Sequence, residues 1–161
     1  MCGIVGYTGR NQASEYLLQG LQTLEYRGYD SAGIEVLSTD GALHGVKCAG
    51  RVAALVDRCE TANLVGTTGI AHTRWATHGA PTDRNAHPHR DCTGKIAIVH
   101  NGIIENFREL RSYLKRNGHT FVSDTDSEVI AHLVEDAWAG PCKGDLLGAV
   151  RNACGRLEGS W

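Results

Sequence analysis

The second residue of the chain is a cysteine, Cys2, and the apolar run Gly3-Ile4-Val5-Gly6-Tyr7 follows it directly. Removing Met1 leaves a thiol and an α-amine on the same residue. An α-amine titrates near about 7.7–8.0 and a free thiol near about 8.5, so both stand close to working pH. The amine can take the thiol proton, directly or through a water, and a thiolate is a strong nucleophile. A small residue at position 2 suits removal of Met1 by an aminopeptidase. A cysteine after a start codon is a weak motif by itself, and buried cysteines are common. Its meaning depends on the polar residues elsewhere.

Those residues gather in a few glycine-containing turns. The first is Tyr26-Arg27-Gly28-Tyr29-Asp30-Ser31-Ala32-Gly33. The second is His72-Thr73-Arg74-Trp75-Ala76-Thr77-His78-Gly79, continuing to Asn85-Ala86-His87-Pro88-His89. The third is Val99-His100-Asn101-Gly102-Ile103-Ile104-Glu105-Asn106, and Ser123-Asp124-Thr125-Asp126-Ser127-Glu128 stands at a helix start. Taken singly each has a plain explanation: Asn-Gly is a common turn pair, an aspartate favours a helix N-terminus, and an arginine suits a surface.

The elements that must position these turns read clearly in places. Residues 3–7 have the pattern of a short buried strand. From Ala13 to Tyr26, Leu17, Leu18, Leu21 and Leu24 recur at helical spacing, with Gly28 where a C-terminal cap belongs. Ile34–Leu37, the turn Thr39-Asp40-Gly41 and Ala42–Val46 predict a hairpin, and a short helix follows with Val52, Leu55, Val56 and Cys59 on one face. Residues 66–73 predict a strand, 74–91 a loop holding two of the three prolines, and 96–99 a second central strand. Residues 104–116 predict a helix with Phe107, Leu110 and Leu114 inward, ending before Gly118. Thr125 and Glu128 have capping-box spacing before Val129-Ile130-Ala131. A last helix over about 145–157 directs Leu146, Leu147, Val150, Cys154 and Leu157 inward. No strand is expected after it, and the chain reads as cut at Gly159-Ser160-Trp161.

Together with Cys2, the polar clusters match one pattern residue for residue. The chain resembles the N-terminal glutaminase domain of the glutamine–fructose-6-phosphate aminotransferases (isomerizing), the glucosamine-6-phosphate synthases. These form a branch of the class II, N-terminal-nucleophile glutamine amidotransferases. The resemblance runs from Met1 to Trp161. Amidophosphoribosyltransferase-like domains would show a glutamine where Tyr29 stands and a Tyr-Ser pair where Trp75-Ala76 stands. Tyr29, the 75–79 stretch and Asn101-Gly102-Ile103-Ile104-Glu105 favour the amino-sugar branch.

The resemblance implies an α+β fold, a four-layer αββα sandwich of the N-terminal-nucleophile hydrolase type, C-terminally incomplete. Residues 1–161 would be the glutaminase domain, truncated, with the sugar isomerase domain absent. It implies that Cys2 attacks the side-chain amide of glutamine and that Asn101 and Gly102 supply the oxyanion hole. Arg74 would take the α-carboxylate and Asp126 the α-ammonium. Thr77 and His78 would lie in the loop that closes over the ligand, Arg27 would help hold the Cys2 end, and Trp75 would gate ammonia. Glutamine is the implied partner, fructose 6-phosphate enters only through the missing isomerase domain, and the full-length enzyme would be a homodimer. No cofactor is implied. Two other readings stand beside this one: a noncatalytic fragment, or the glutaminase domain of a related amidotransferase such as amidophosphoribosyltransferase.

Bulk properties agree with a single modest domain. The chain has 161 residues, 42% hydrophobic and 21% charged, with a formal net charge of -2. That balance points to neither nucleic acid nor membrane. No stretch approaches the roughly 18 apolar residues of a membrane span, and no signal-peptide pattern opens the chain, so a cytoplasmic location is expected. Six cysteines occur without a CxxC pair and read as free thiols. The 20 glycines exceed the roughly 7% norm and predict many tight turns. His72, His78, His87, His89 and Cys92 crowd into 21 residues, which raises a zinc module. Their spacing forms neither a CxxC nor an HExxH core, so no metal is expected.

Overall fold

The computed structural model describes residues 2–76 and 78–161, in two compact units, Met1–Pro88 and His89–Trp161. Helices pack on antiparallel strands, which makes the chain α+β, as read from its sequence.

The first unit is built on a four-stranded antiparallel sheet. Its elements are β1 (Gly3–Thr8), α1 (Ala13–Leu24), β2 (Ser31–Leu37), β3 (Leu43–Ala49), α2 (Val52–Thr61) and β4 (Thr68–Arg74), and the strands lie in the order β1-β4-β2-β3. Successive side chains on a strand point to opposite faces, so each strand serves two environments. Ala32, Ile34 and Val36 of β2 and Ala71 of β4 meet Leu17 and Leu21 of α1 and Val52 and Leu55 of α2 in one buried core. The alternate positions Ser31, Glu35, His72 and Arg74 are also buried, but they form a polar face. The hairpin β2–β3 turns at Gly41, whose φ of +84° suits a glycine.

Two expectations change here. β1 is an edge strand that alternates in burial rather than a wholly buried one, and Ile4 is 41% exposed. Gly28 follows a 3-10 turn over Glu25–Arg27 with an extended φ of -164°, so it is no left-handed cap. It is required because a Cβ there would stand 2.8 Å from the Arg74 carbonyl carbon. The backbone after α1 thus presses directly on the end of β4.

The second unit contains β5 (His89–Arg90), β6 (Ala97–Ile98), β7 (Ile103–Ile104), α3 (Phe107–Arg116), α4 (Glu128–Ala139), α5 (Leu146–Cys154) and β8 (Gly159–Ser160). The strand expected over 96–99 is reduced to β6, two residues paired with β5. It stops because His100 turns aside to Ser127 Oγ at 2.8 Å and Gly102 adopts a φ of +152°. Helix α3 ends before Gly118, as expected, with the His119 N–H donating back to the Leu114 carbonyl at 3.0 Å. A strand does follow the last helix: β8 pairs antiparallel with β7.

The capping box is not formed. Thr125 Oγ1 shares hydrogen bonds with Ser123 Oγ and His89 Nε2, while Glu128 reaches back to the N–H groups of Val122 and Ser123, both at 2.7 Å. Burial opposes the Glu128 charge, but the nearby His132 ring and the hydrogen bonds from Ser123 and Val122 hold its pKa below the ordinary carboxylate range. The inward stripe expected over 145–157 holds only at its end, where Leu157, just past α5, packs against the buried core. Leu146, Leu147 and Val150 are exposed, and the face buried with Leu133 and Ala137 of α4 carries Ala149 and Ala153. Small side chains let two helices approach closely, and that contact outranks the larger leucines.

Enlarging the alanine face should therefore cost more than removing a leucine. Ala149→Leu is expected to lower stability by ~1–3 kcal/mol through overpacking. Leu147→Gln should stay within about 0.5 kcal/mol of the parent. Urea unfolding midpoints of the two variants check the order; the reverse order would restore the leucine stripe as the inward face.

Candidate active site

The first unit assembles its polar residues where β1 starts and β4 ends. Gly3 pairs with Thr73, and Arg74 pairs with Ser31 across the other edge of β4. Strand alternation sends Gly3 and Thr73 to the helix side. Cys2 accordingly lies beside the chain that leaves β4, and its Sγ accepts a hydrogen bond from the Trp75 N–H at 3.1 Å. The sulfur is half-buried, so it is held in place yet reachable. Burial pushes the Cys59 thiol up to about 11 and the Cys48 thiol up as well, which leaves both poor nucleophiles. No disulfide joins any of the six cysteines.

Arg74 is buried and shapes the loop beyond it. Its guanidinium donates to the carbonyls of His78, of Gly79 at 3.0 Å and of Ala80 at 3.3 Å. Asn85 Nδ2 also donates to Ala80 O, at 3.0 Å. Asp30 fixes the other side of the bend: its Oδ2 accepts the Ala76 N–H at 2.7 Å, and its own N–H donates to the Arg74 carbonyl at 3.1 Å. The indole of Trp75 is 46% exposed and stands edge-on to Tyr29, with ring centroids 5.4 Å apart. Farther along, Asp83 accepts from the Ala49 N–H and from Arg58, both at 2.6 Å, and the Arg58 guanidinium holds the Asp83 carboxyl below its usual range. Among its described residues, loop 74–88 is thus tied down by backbone acceptors and polar side chains.

The second unit gathers the remaining candidates around β7. Asn101 and Gly102 are exposed on the turn that enters it. A Cβ at Gly102 would overlap the Ser160 carbonyl oxygen and lie 2.9 Å from His100 Nε2, so only glycine fits that bend. Two residues on, the Ile104 N–H donates to Asp126 Oδ2 at 2.8 Å, and the Asp126 side chain is buried. Asp126 and the Asn101-Gly102 turn therefore belong to one hydrogen-bonded assembly.

Cys2, Arg74, Trp75 and His78 come together in the first unit, and Asn101, Gly102 and Asp126 in the second. Arg27 turns to its neighbour Tyr26, with Nε 3.0 Å from the phenolic oxygen. Thr77 lies outside the described residues. Asp30 and His100 carry much of the positioning but were singled out only as members of their turns. Their signal was adjacency: each sits within two residues of a glycine in a polar cluster, and nothing in the sequence told a holder from a bystander.

A family model described as a glutamine amidotransferase domain matches residues 72–155. The chain is 54% identical over 162 residues to a glutamine–fructose-6-phosphate aminotransferase (isomerizing) of Thermosynechococcus vestitus, covering 100% of this chain and 26% of that protein. It is 53% identical over 161 residues to the protein of the same name from Pyrococcus horikoshii, again covering 100% and 26%. The chain thus spans about a quarter of the length of the curated relatives it matches. Among solved structures, the glutamine phosphoribosylpyrophosphate amidotransferase of B. subtilis complexed with ADP and GMP aligns with a TM-score of 0.80 at 27% identity, over 99% of this chain and 33% of that one. A structure titled as the allosteric regulatory enzyme of purine biosynthesis aligns with a TM-score of 0.82 at 28% identity, over 99% and 34%.

Two glycine substitutions separate close approach from conformational freedom. Gly41 and Gly102 both have positive φ, but nothing lies within 4 Å of a Cβ built on Gly41. Gly41→Ala should cost about 1–2 kcal/mol from left-handed strain alone. Gly102→Ala should cost clearly more, since the Ser160 carbonyl must also move. Equal losses in thermal unfolding would show the close approach to be unimportant.

Proposed function

Because this chain belongs to the glutamine amidotransferase domain family, we propose that it is the glutamine-hydrolysing part of a glutamine–fructose-6-phosphate aminotransferase. It would release ammonia from glutamine for glucosamine 6-phosphate synthesis. The observation that carries the reading is the Cys2 sulfur, held by the Trp75 N–H beside the buried Arg74. The amino-sugar branch is favoured over the phosphoribosyl branch because relatives of the first kind are 50–54% identical, against 27% for the second.

With Met1 removed, the α-amine of Cys2 takes the thiol proton. The thiolate attacks the γ-amide carbon of glutamine, forming a C–S bond and moving the carbonyl electron pair onto oxygen. The Asn101 side-chain amide and the Gly102 backbone N–H are assigned to that oxyanion, a role in which losing one donor costs ~2.7–4 kcal/mol. The α-ammonium returns the proton to the leaving nitrogen, ammonia departs, and a γ-glutamyl thioester remains. Water then adds to the thioester, and glutamate leaves with the thiol restored.

Arg74 is assigned the substrate α-carboxylate. The charge and planar fork of a guanidinium suit a carboxylate, and here the same group also donates to the 78–80 carbonyls. Asp126 is assigned the α-ammonium through the carboxylate that also accepts the Ile104 N–H. Thr77 and His78 are assigned to loop closure, Arg27 to support of the Cys2 end, and Trp75 to passage of ammonia. Fructose 6-phosphate is assigned to a separate isomerase domain and to a homodimeric full-length enzyme. By itself this chain should then yield glutamate and free ammonia with no amino sugar. No helix among the described residues is long and apolar enough to cross a membrane.

Glutamate release measured on the full chain checks these roles. Cys2→Ala should abolish it, whereas Cys48→Ala and Cys142→Ala should retain it; activity in the Cys2 variant would overturn the mechanism. Arg74→Ala and Asp126→Ala should each raise KM for glutamine strongly, since truncating one partner of a buried charge pair costs about 2–5 kcal/mol. An unchanged KM in either variant would remove that residue from substrate binding.

A further inference from the structure

Four ligand-type side chains that the glutaminase reading does not use converge in the second unit. Cys92 Sγ, His119 Nδ1, His132 Nδ1 and a Glu135 carboxylate oxygen all lie within 4.8 Å of one another. They come from three separate places: the turn after β5, the segment just past α3, and two positions one turn apart on α4. We propose that Cys92, His119, His132 and Glu135 form a zinc site, with all four positions filled by protein and therefore structural in role.

The distances fit such an ion. Cys92 Sγ lies 3.5 Å from His132 Nδ1 and 3.7 Å from His119 Nδ1. Glu135 Oε2 lies 2.9 Å from His119 Nδ1 and 3.1 Å from His132 Nδ1. Tetrahedral zinc with Zn–S of about 2.3 Å and Zn–N and Zn–O of about 2.0–2.1 Å separates sulfur from nitrogen by about 3.5 Å, and nitrogen from oxygen by about 3.3 Å. These four edges agree with those values to within about 0.4 Å, and the Cys92–Glu135 and His119–His132 edges are no longer than 4.8 Å.

The outer faces of the two imidazoles fit as well. His132 Nε2 lies 3.5 Å from Glu128 Oε1, and His119 Nε2 lies 3.7 Å from Asp136 Oδ1. Neither contact is a hydrogen bond at these distances, but a carboxylate faces the outer nitrogen of each ring, on the side where metal-bound histidine commonly meets one. Glu128 is itself fixed by the Val122 and Ser123 N–H groups, and the Thr120 N–H donates to Cys92 Sγ at 3.3 Å. Without a cation, two imidazole nitrogens must share one Glu135 oxygen that already accepts the Cys92 N–H at 3.1 Å. One thiolate, two imidazoles and one carboxylate form a set suited to zinc rather than to magnesium or calcium.

Titration of the chelator-stripped full chain with Zn2+, in competition with a chromophoric chelator, tests the site. Co2+ serves as the spectroscopic probe, and Cys2→Ser is run in parallel to exclude binding at that thiol. The expected result is one equivalent of Zn2+ per chain and a Co2+ spectrum with tetrahedral visible bands and a thiolate charge-transfer band in the near ultraviolet. Cys92→Ser should remove the charge-transfer band and His119→Ala should weaken binding by more than tenfold. Cys92 stands on an exposed turn, so its variant remains informative even if a histidine variant fails to fold. Failure to bind one equivalent at micromolar free Zn2+, or binding undiminished in both Cys92→Ser and His119→Ala, would overturn the proposal.

Discussion

The pairing register of β4 is the constraint on which the candidate site depends. β4 is hydrogen-bonded to β1 on one side and β2 on the other, with Gly3 opposite Thr73 and Ser31 opposite Arg74. A slip of one residue would exchange the two faces of the strand. Arg74 and His72 would then turn into the Leu17–Leu21 core, and Ala71 and Thr73 would turn out of it. The apolar core of the first unit therefore fixes where the arginine points. Because Trp75 follows directly, it also fixes the N–H that meets the Cys2 sulfur. Gly28 reinforces the arrangement by letting the backbone press on Arg74, and Asp30 holds the bend that follows.

The second unit reaches order by different means. Its strands are only two residues long, so they bury little by themselves. Buried polar groups do the joining instead: Asp126 holds Ile104 of β7, His100 links Ser127 to the Ser160 carbonyl, and Glu128 anchors the segment before α4. Groups of this kind are costly when unpaired, so their partners are strongly specified. The close packing of α4 on the alanines of α5 completes the unit. A zinc ion on Cys92, His119, His132 and Glu135 would add a fourth tie between segments remote in sequence.

The sequence was informative where chemistry or periodicity is local. Helices α1, α2 and α3, the β2–β3 hairpin and the stop before Gly118 follow from apolar spacing and turn residues. So do the two polar groupings, because residues such as Arg74, Asn101-Gly102 and Asp126 stand in compact motifs. What failed depended on partners far along the chain. The inward face of α5 is chosen by the shape of α4, not by hydrophobicity, so the leucines misled. Thr125 and Glu128 have capping-box spacing, yet His89 and the Val122–Ser123 backbone compete for them. The crowded histidines 72–89 suggested a metal by their number, whereas Cys92 converges with His119, His132 and Glu135, all three beyond the next helix.

Cys2, with its α-amine exposed, is the nucleophile proposed to meet the glutamine amide. Covalent trapping tests it most directly. A glutamine analogue bearing an electrophilic ketone in place of the amide is incubated with the full chain, and the adduct is mapped by peptide mass spectrometry. The account predicts one adduct per chain, on Cys2, in molecules that lack Met1 and with protection by excess glutamine. An adduct on any other cysteine, or on Cys2 in molecules that retain Met1, would contradict it.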